Sequence, residues 1–330
     1  MKKIISCIII LLLLSSVLAA CGKVPPASGD TPQSSDGGKK ISIVATTFPQ
    51  YDWTREILGD QIENVDLTLL LDNGVDLHSF QPSVDDIAKI SDCDMFIYVG
   101  GESDTWVHGA LEVATNNDMV VINMLEVLGD KVKAEEIIEG MEHDHEHSHD
   151  EIEHDEHVWL SLKNAKDICT YISKELAKLD SQNSAAYIAN ADAYNGRLSE
   201  LDGKYQTAVD SAPVKTLLFG DRFPFRYMVD DYGLSYFAAF SGCSAETEAS
   251  FETIVYLSDK ANELNLKNIM VLEGSSQSIA DTIIQSTSGK NQNILVLNSI
   301  QSVTSADVSS GTTYLSIMES NLEVLKSALY

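Results

Sequence analysis

The run from Ser181 to Val209 reads SQNSAAYIANADAYNGRLSELDGKYQTAV, and it decides how the rest of this 330-residue chain has to be arranged. Ala185, Ile188, Ala189, Ala193, Leu198, Leu201 and Tyr205 recur at helical spacing; no proline interrupts them, and only Gly196 and Gly203 weaken the pattern. At a rise of 1.5 Å per residue such a helix extends about 40 Å, the length of a small domain. Placed in mid-chain, it predicts a rigid strut with a folded body on either side.

Both flanks alternate short β-branched runs with amphipathic ones. Before the strut, strand patterns fall at 41–47, 65–71, 95–99 and 119–122, with helical patterns at 51–58, 84–90, 106–115 and 162–179. After it, strands are expected at 215–219, 236–240, 268–272 and 294–297, and helices at 225–232, 251–264, 279–286 and 314–329. Strands that alternate with helices pair in parallel under a helical cover. The expected fold class is therefore α/β: two Rossmann-like lobes with parallel sheets joined by one long rigid helix. The N-terminal lobe is placed at 41–180, the linking helix at 181–211 and the C-terminal lobe at 212–330. Ligands of open α/β sheets bind beyond the carboxyl ends of the strands, so the loops after the strands are where chemistry is expected.

The chain begins with two lysines, an apolar run from Ile8 to Leu14, and Leu18-Ala19-Ala20-Cys21. A positive start, a short apolar core and small residues before a cut describe a secretory signal, and the core is too short to span a bilayer. Leu-Ala-Ala-Cys also resembles the bacterial lipobox. That resemblance implies cleavage before Cys21, acylation of its sulfur, and a protein tethered outside the cell membrane by lipid. Residues 22–40, rich in Gly, Pro and Ser, read as a flexible tether. Of the five cysteines, Cys93 and Cys169 sit in apolar surroundings and are expected in the core, whereas Cys243, in a Gly/Ser turn, is expected to be exposed. Three cysteines this far apart are no disulfide framework.

The formal charge of −28 excludes nucleic acid as a partner and favours a cationic ligand. A second feature names the kind of cation. Six of the eight histidines lie between His143 and His157, in EHDHEHSHDEIEHDEHVW (142–159), interleaved with carboxylates. His143, His145, His147, His149 and His154 in the loop 142–155 are candidate auxiliary ligands, because neutral imidazole and carboxylate suit a borderline ion such as Zn²⁺. His145-Glu146-His147-Ser148-His149 formally spells a zinc-protease motif. That motif needs a helix with an apolar face, and none is available here. His78, in Asp76-Leu77-His78 after the second strand, and His157, in Asp155-Glu156-His157-Val158-Trp159, stand in loops where ligands are expected.

The two histidine segments, the His-rich insert before the second, the run from Tyr98 to Trp106, the long central helix and the run from Tyr314 to Leu322 occur in a specific order. In that order the chain resembles the zinc/manganese solute-binding lipoproteins of ABC transporters, from Cys21 to Tyr330. The resemblance implies a divalent ion held between the lobes and handed to an ABC permease with its ATPase by a monomeric, lipid-anchored protein that is not an enzyme. Zinc is expected from the abundance of imidazole, with manganese the other ion of the family. His78 and His157 match the family's two N-lobe ligands. The third ligand position, three residues before Phe225, falls on Arg222, which has no lone pair to offer. The fourth falls on Asn298, a weak neutral substitute. Glu246 is therefore taken as the replacement third ligand, with Asp221 and Glu248 as further candidates; acids in the stretch 246–248 also suit the N-terminus of the following helix. Two alternatives stay open at this point: a membrane-anchored zinc metallohydrolase, and a surface zinc buffer or adhesin-like protein with no transport role.

Overall fold

The computed structural model describes residues 40–142, 153–244 and 248–330. The expected signal segment with Cys21, the tether up to residue 39, His143, His145, His147, His149 and Glu246 lie outside the described residues.

The first half runs β1 (Ile41–Ala45), α1 (Phe48–Leu58), β2 (Val65–Leu69), α2 (Val84–Asp92), β3 (Met95–Tyr98), α3 (Trp106–Glu112), β4 (Val120–Asn123) and α4 (Met124–Leu128). Two helices follow, α5 (Leu162–Leu179) and α6 (Ser184–Ser211). The second half runs β5 (Thr216–Phe223), α7 (Arg226–Tyr232), β6 (Ser235–Ser241), α8 (Phe251–Glu263), β7 (Asn268–Leu272), α9 (Ser278–Ser286), β8 (Asn293–Leu297), α10 (Ser305–Ser309) and α11 (Tyr314–Leu329).

The two sheets are parallel and share one topology, β2-β1-β3-β4 and β6-β5-β7-β8. In each, the chain leaves its first strand to one side and crosses back for the third, so the topological switch lies beside the carboxyl ends of β1 and β5. Central strands are apolar on both faces: Ile43, Val44, Ala45, Met95, Phe96 and Ile97 are all buried, as helix-covered parallel strands must be.

The helix α6 is the expected strut, yet its buried stripe differs from the sequence reading. Tyr187, Ala191, Tyr194, Leu198, Leu201, Tyr205 and Ala208 are buried in alternating steps of four and three, while Ala185, Ala189 and Ala193 are exposed. Tyrosine explains the shift. Its ring is a large apolar body and its hydroxyl can be buried once partnered; Tyr187 Oη donates to Asp180 (2.7 Å) and Tyr205 Oη to the Met318 carbonyl (2.6 Å). With these rings inward, α6 packs on α1 and α5 and also on α11. One apolar core consequently continues from Ile43 through Leu198 to Phe219, Leu297 and Leu329, and a smaller one, with Leu257, Ile269 and Ile283, lies in the second half.

β5 outlasts its expected end at 219. A register shift against β6 between Phe219 and Arg222 lets the strand continue to Phe223, so Arg222 stands at a strand end instead of in a free loop. Among the described residues, no helix is long and apolar enough to cross a membrane.

Candidate metal centre

Two local devices bring His78 and His157 into position, and both use an aspartate two residues upstream. Asp76 Oδ1 accepts the His78 backbone N–H (3.0 Å), and Asp155 Oδ1 accepts that of His157 (2.9 Å). An Asp that bonds the backbone two residues on is an Asx-turn, which fixes where the next side chains point. Buried neighbours then anchor each turn. Leu77 sits in the core beside His78; Val158, Trp159 and Leu160 do so after His157. Trp159 Nε1 donates to the Ser299 carbonyl (2.9 Å), and Tyr314 Oη donates to the Trp159 carbonyl (2.6 Å).

The rings meet. His78 Nε2 lies 3.3 Å from His157 Nε2. Two zinc–nitrogen bonds of about 2.05 Å at a tetrahedral angle separate their nitrogens by about 3.3 Å, so this spacing is the one a shared ion demands. The other nitrogen of each ring is engaged: His78 Nδ1 with Ser103 Oγ at 2.7 Å, and His157 Nδ1 with Asp155 Oδ1 at 3.0 Å. Asp155, an acceptor, holds a proton on His157 Nδ1 and leaves its Nε2 lone pair for a ligand, the usual arrangement of metal-binding imidazoles, while the Ser103 hydroxyl orients the His78 ring through Nδ1.

Charge around the pair is negative. Glu156 is buried; its Oε1 accepts the Ser103 N–H (2.8 Å), while Oε2, without a hydrogen-bond partner among the described residues, lies 3.6 Å from His78 Nδ1. Burial lowers the His78 pKa to about 3, reinforced by His157. Burial also pulls His157 down, but Asp155, Glu156 and Asp76 together outweigh it and raise its pKa above the ordinary value. Two imidazoles this close cannot both be charged. In the metal-free protein a proton held by the pair therefore resides on His157, between the two Nε2 atoms, where a cation would sit.

The second half of the chain approaches this pair with Gly242-Cys243, which follow β6. One nitrogen from each histidine and Cys243 Sγ all lie within 4.8 Å of one another. Cys243 is thus half-buried against the site, contrary to the expectation of an exposed turn residue. Its loop is held from the first half of the chain: the Cys243 N–H donates to Glu135 Oε1 (2.9 Å). Gly242 allows the close approach, since a Cβ there would stand 3.1 Å from His157 Cε1. Burial, with Glu135, Asp155 and Glu156 adding to it, pushes the Cys243 thiol pKa well up.

The other expected ligands are occupied elsewhere. Arg222 forms an ion pair with Asp76 (2.6 Å) and reaches the Ser244 carbonyl (3.4 Å), so it braces the His78 turn from the opposite lobe. Asp221 accepts the N–H groups of Arg222 and Leu272, which closes the end of β5 on β7. Asn298 Oδ1 accepts the Ile300 N–H. Glu248 is exposed ahead of α8, as an acid near a helix N-terminus is expected to be. Glu246 lies outside the described residues. His154 is exposed and pairs through its backbone with Ala134. Sequence reasoning missed Ser103, Asp155, Glu135 and Cys243; the repeated Asp-x-His at 76–78 and 155–157 was a legible sign of the first-neighbour aspartates.

Known proteins share this chain's sequence pattern and fold. The profile of the family described as zinc-uptake complex component A, periplasmic, matches residues 43–328. The chain is 32% identical over 324 residues to the high-affinity zinc uptake system protein ZnuA of Bacillus subtilis (strain 168), covering 95% of this chain and 96% of that protein. It is 30% identical to the zinc-binding lipoprotein AdcA of Streptococcus pneumoniae (strain ATCC BAA-255 / R6), covering 94% of this chain but spanning only 58% of AdcA. The crystal structure of the Zn(II)-bound ZnuA-like domain of Streptococcus pneumoniae AdcA superposes with a TM-score of 0.68 at 29% identity, over 88% of this chain and 99% of that one.

Proposed function

Since the chain belongs to the zinc-uptake complex component A family, we propose that it captures Zn²⁺ outside the cytoplasmic membrane and delivers it to an ABC permease with its ATPase. Zinc is the cargo of this protein; it is carried and released, with no chemical conversion. His78 and His157 are the anchoring ligands. The observation that carries this reading is their Nε2···Nε2 separation of 3.3 Å, with both Nδ1 atoms already engaged.

The remainder of the reading is of the same standing. Cys21 carries the lipid anchor, residues 22–40 let the body reach the permease, and the protein works as a monomer. The His-rich loop 142–155 collects cations at low affinity and raises their local concentration beside the site. Its C-terminal end is held against residues 133–135, where the Glu135 N–H donates to the Glu153 carbonyl and the Asp155 N–H to the Lys133 carbonyl, while the Glu142 N–H at its other end donates to the Ala239 carbonyl, so the loop returns to the fold next to His157.

Competition with a chromophoric zinc chelator tests the assignment. Wild type holds one tight equivalent; His78→Ala and His157→Ala each lose it while remaining folded, and deletion of 143–152 keeps it. Tight loading that survives the double alanine variant overturns the reading, and loss of all binding on deletion of the loop reassigns the protein as a buffer.

A further inference from the structure

We propose that Cys243 supplies a thiolate as the third zinc ligand, so that the site is a two-imidazole, one-thiolate centre bridging the lobes. This rests on the reading that His78 and His157 hold the ion. Its own support is geometric. Cys243 Sγ shares a 4.8 Å sphere with one nitrogen of each ring, and zinc bonds of about 2.3 Å to sulfur and about 2.05 Å to nitrogen set their separation near 3.6 Å in a tetrahedral site. Closure by at most about 1.2 Å completes the site.

No other described C-lobe side chain is so placed. Arg222 cannot ligate, and Asp221 and Asn298 bond backbone N–H groups. Glu273 accepts the Ser299 N–H and the hydroxyls of Ser299 and Ser302. The loop that carries Cys243 is also set for contact with His157. Gly242 lets the backbone lie against that ring, and Glu135, at the root of the His-rich insert, fixes the Cys243 N–H.

The step is balanced without any oxidant: the S–H bond breaks, a Zn–S bond forms, and the proton passes to solvent. A thiolate is soft, so it raises selectivity for zinc over manganese, magnesium and calcium, which prefer oxygen. It also neutralises half of the ion's charge in a half-buried cleft. A fourth position remains for water, through which the ion can exchange.

Cobalt(II) tests the proposal in protein spanning Gly22–Tyr330, where Cys93, Cys169 and Cys243 are the only cysteines. The buried Cys93 and Cys169 are out of reach. One equivalent of cobalt should produce a thiolate-to-metal charge-transfer band in the near ultraviolet, absent from Cys243→Ser and Cys243→Ala. Zinc affinity in those variants should fall by at least the roughly 10- to 100-fold that loss of an outer-shell partner costs, with metal-free thermal unfolding unchanged. Absence of the band in wild type, or full zinc affinity in Cys243→Ala, overturns the thiolate ligand while His78→Ala still abolishes binding. If His78→Ala and His157→Ala also bind normally, the zinc site itself has been misplaced.

Discussion

Asp155→Asn removes one charge from beneath the site and leaves the side chain's shape in place. In the native protein Asp155 Oδ1 accepts both the His157 backbone N–H (2.9 Å) and its Nδ1–H (3.0 Å), and the carboxylate is buried. The amide oxygen can still accept both. What is lost is the assistance of the charge, which makes such a bond about twice as strong as a neutral one. Hydrogen bonds to charged groups contribute about 1.5–3 kcal/mol against about 1 for neutral pairs. The ring's bond to Asp155 strengthens when Nε2 donates its lone pair to zinc, so the variant should lose about 1–2 kcal/mol of binding, or roughly 5- to 30-fold in affinity. The assay is chelator competition across pH. Asp155 is also the chief force raising the His157 pKa against burial, so the variant gives up its competing proton more readily. The penalty should therefore be full at alkaline pH and shrink as pH falls through the raised pKa of His157, which lies above about 6.5. A loss that is constant with pH, or none beyond about twofold in a folded variant, refutes the reasoning about this carboxylate.

Further outcomes follow from the same contacts. With the Cys243 proton released on binding at any pH below the raised thiol pKa, zinc affinity of the wild type should fall by about a further tenfold per pH unit once His157 holds a proton; because the His157 pKa is raised, that steeper fall begins above about pH 6.5, and isothermal titration in buffers of different ionisation heat should register the additional released proton. Arg222→Met unpairs a partly buried Asp76 across the lobes and should lower metal-free stability by about 1–2 kcal/mol in urea, with zinc affinity falling as the His78 turn loosens; a double-mutant cycle with Asp76→Asn isolates the pair. Asp52, buried and bonded to the Tyr314 N–H at the start of α11, has its pKa raised by burial to about 6. A folded pKa above the unfolded value of about 3.9 means the native state binds the proton more tightly, so the stability of wild type relative to Asp52→Asn should decline as pH rises from about 4 to 6 and stay level above that, measurable by denaturant titration.

Fold class was legible because its signal is long and repeated. Eight β-branched runs, each followed by a helical pattern or a loop, leave few arrangements other than parallel sheets, and α5, β7 and α11 begin and end where the periodicity predicts. The face of α6 was not legible along its N-terminal half, because apolar and polar classes cannot say which way a tyrosine such as Tyr187 will turn until Asp180 is there to take its hydroxyl. His78 and His157, and their meeting on one ion, were expected only through the resemblance, since the groups that bring them together, Ser103, Asp155, Leu77 and Trp159, carry no signal of it in the periodicity. Cys243 was hidden for a related reason. A cysteine in a Gly/Ser turn looks exposed until Glu135, more than a hundred residues earlier, draws its N–H inward. Arg222, read as a lost ligand, gains its meaning only from Asp76 on the other lobe.

The distribution of these groups also says what limits capture. Both imidazoles come from the first half of the chain, each with its Nδ1 engaged by a neighbour, and they already stand at the spacing a tetrahedral ion requires. Little binding energy then goes into bringing them together. The main opposing terms are removal of the proton between the rings, of the Cys243 proton, and of the ion's own water. The surrounding Asp76, Asp155, Glu156 and Glu135 oppose those costs in different ways: they stabilise the cation, yet the same field raises the pKa of His157 and of the Cys243 thiol and so strengthens the competing protons. Zinc, as a double charge, gains twice what a proton does from the same potential. A negative setting therefore favours the metal at neutral pH and lets modest acidification release it, whereas a neutral setting would bind zinc weakly at every pH.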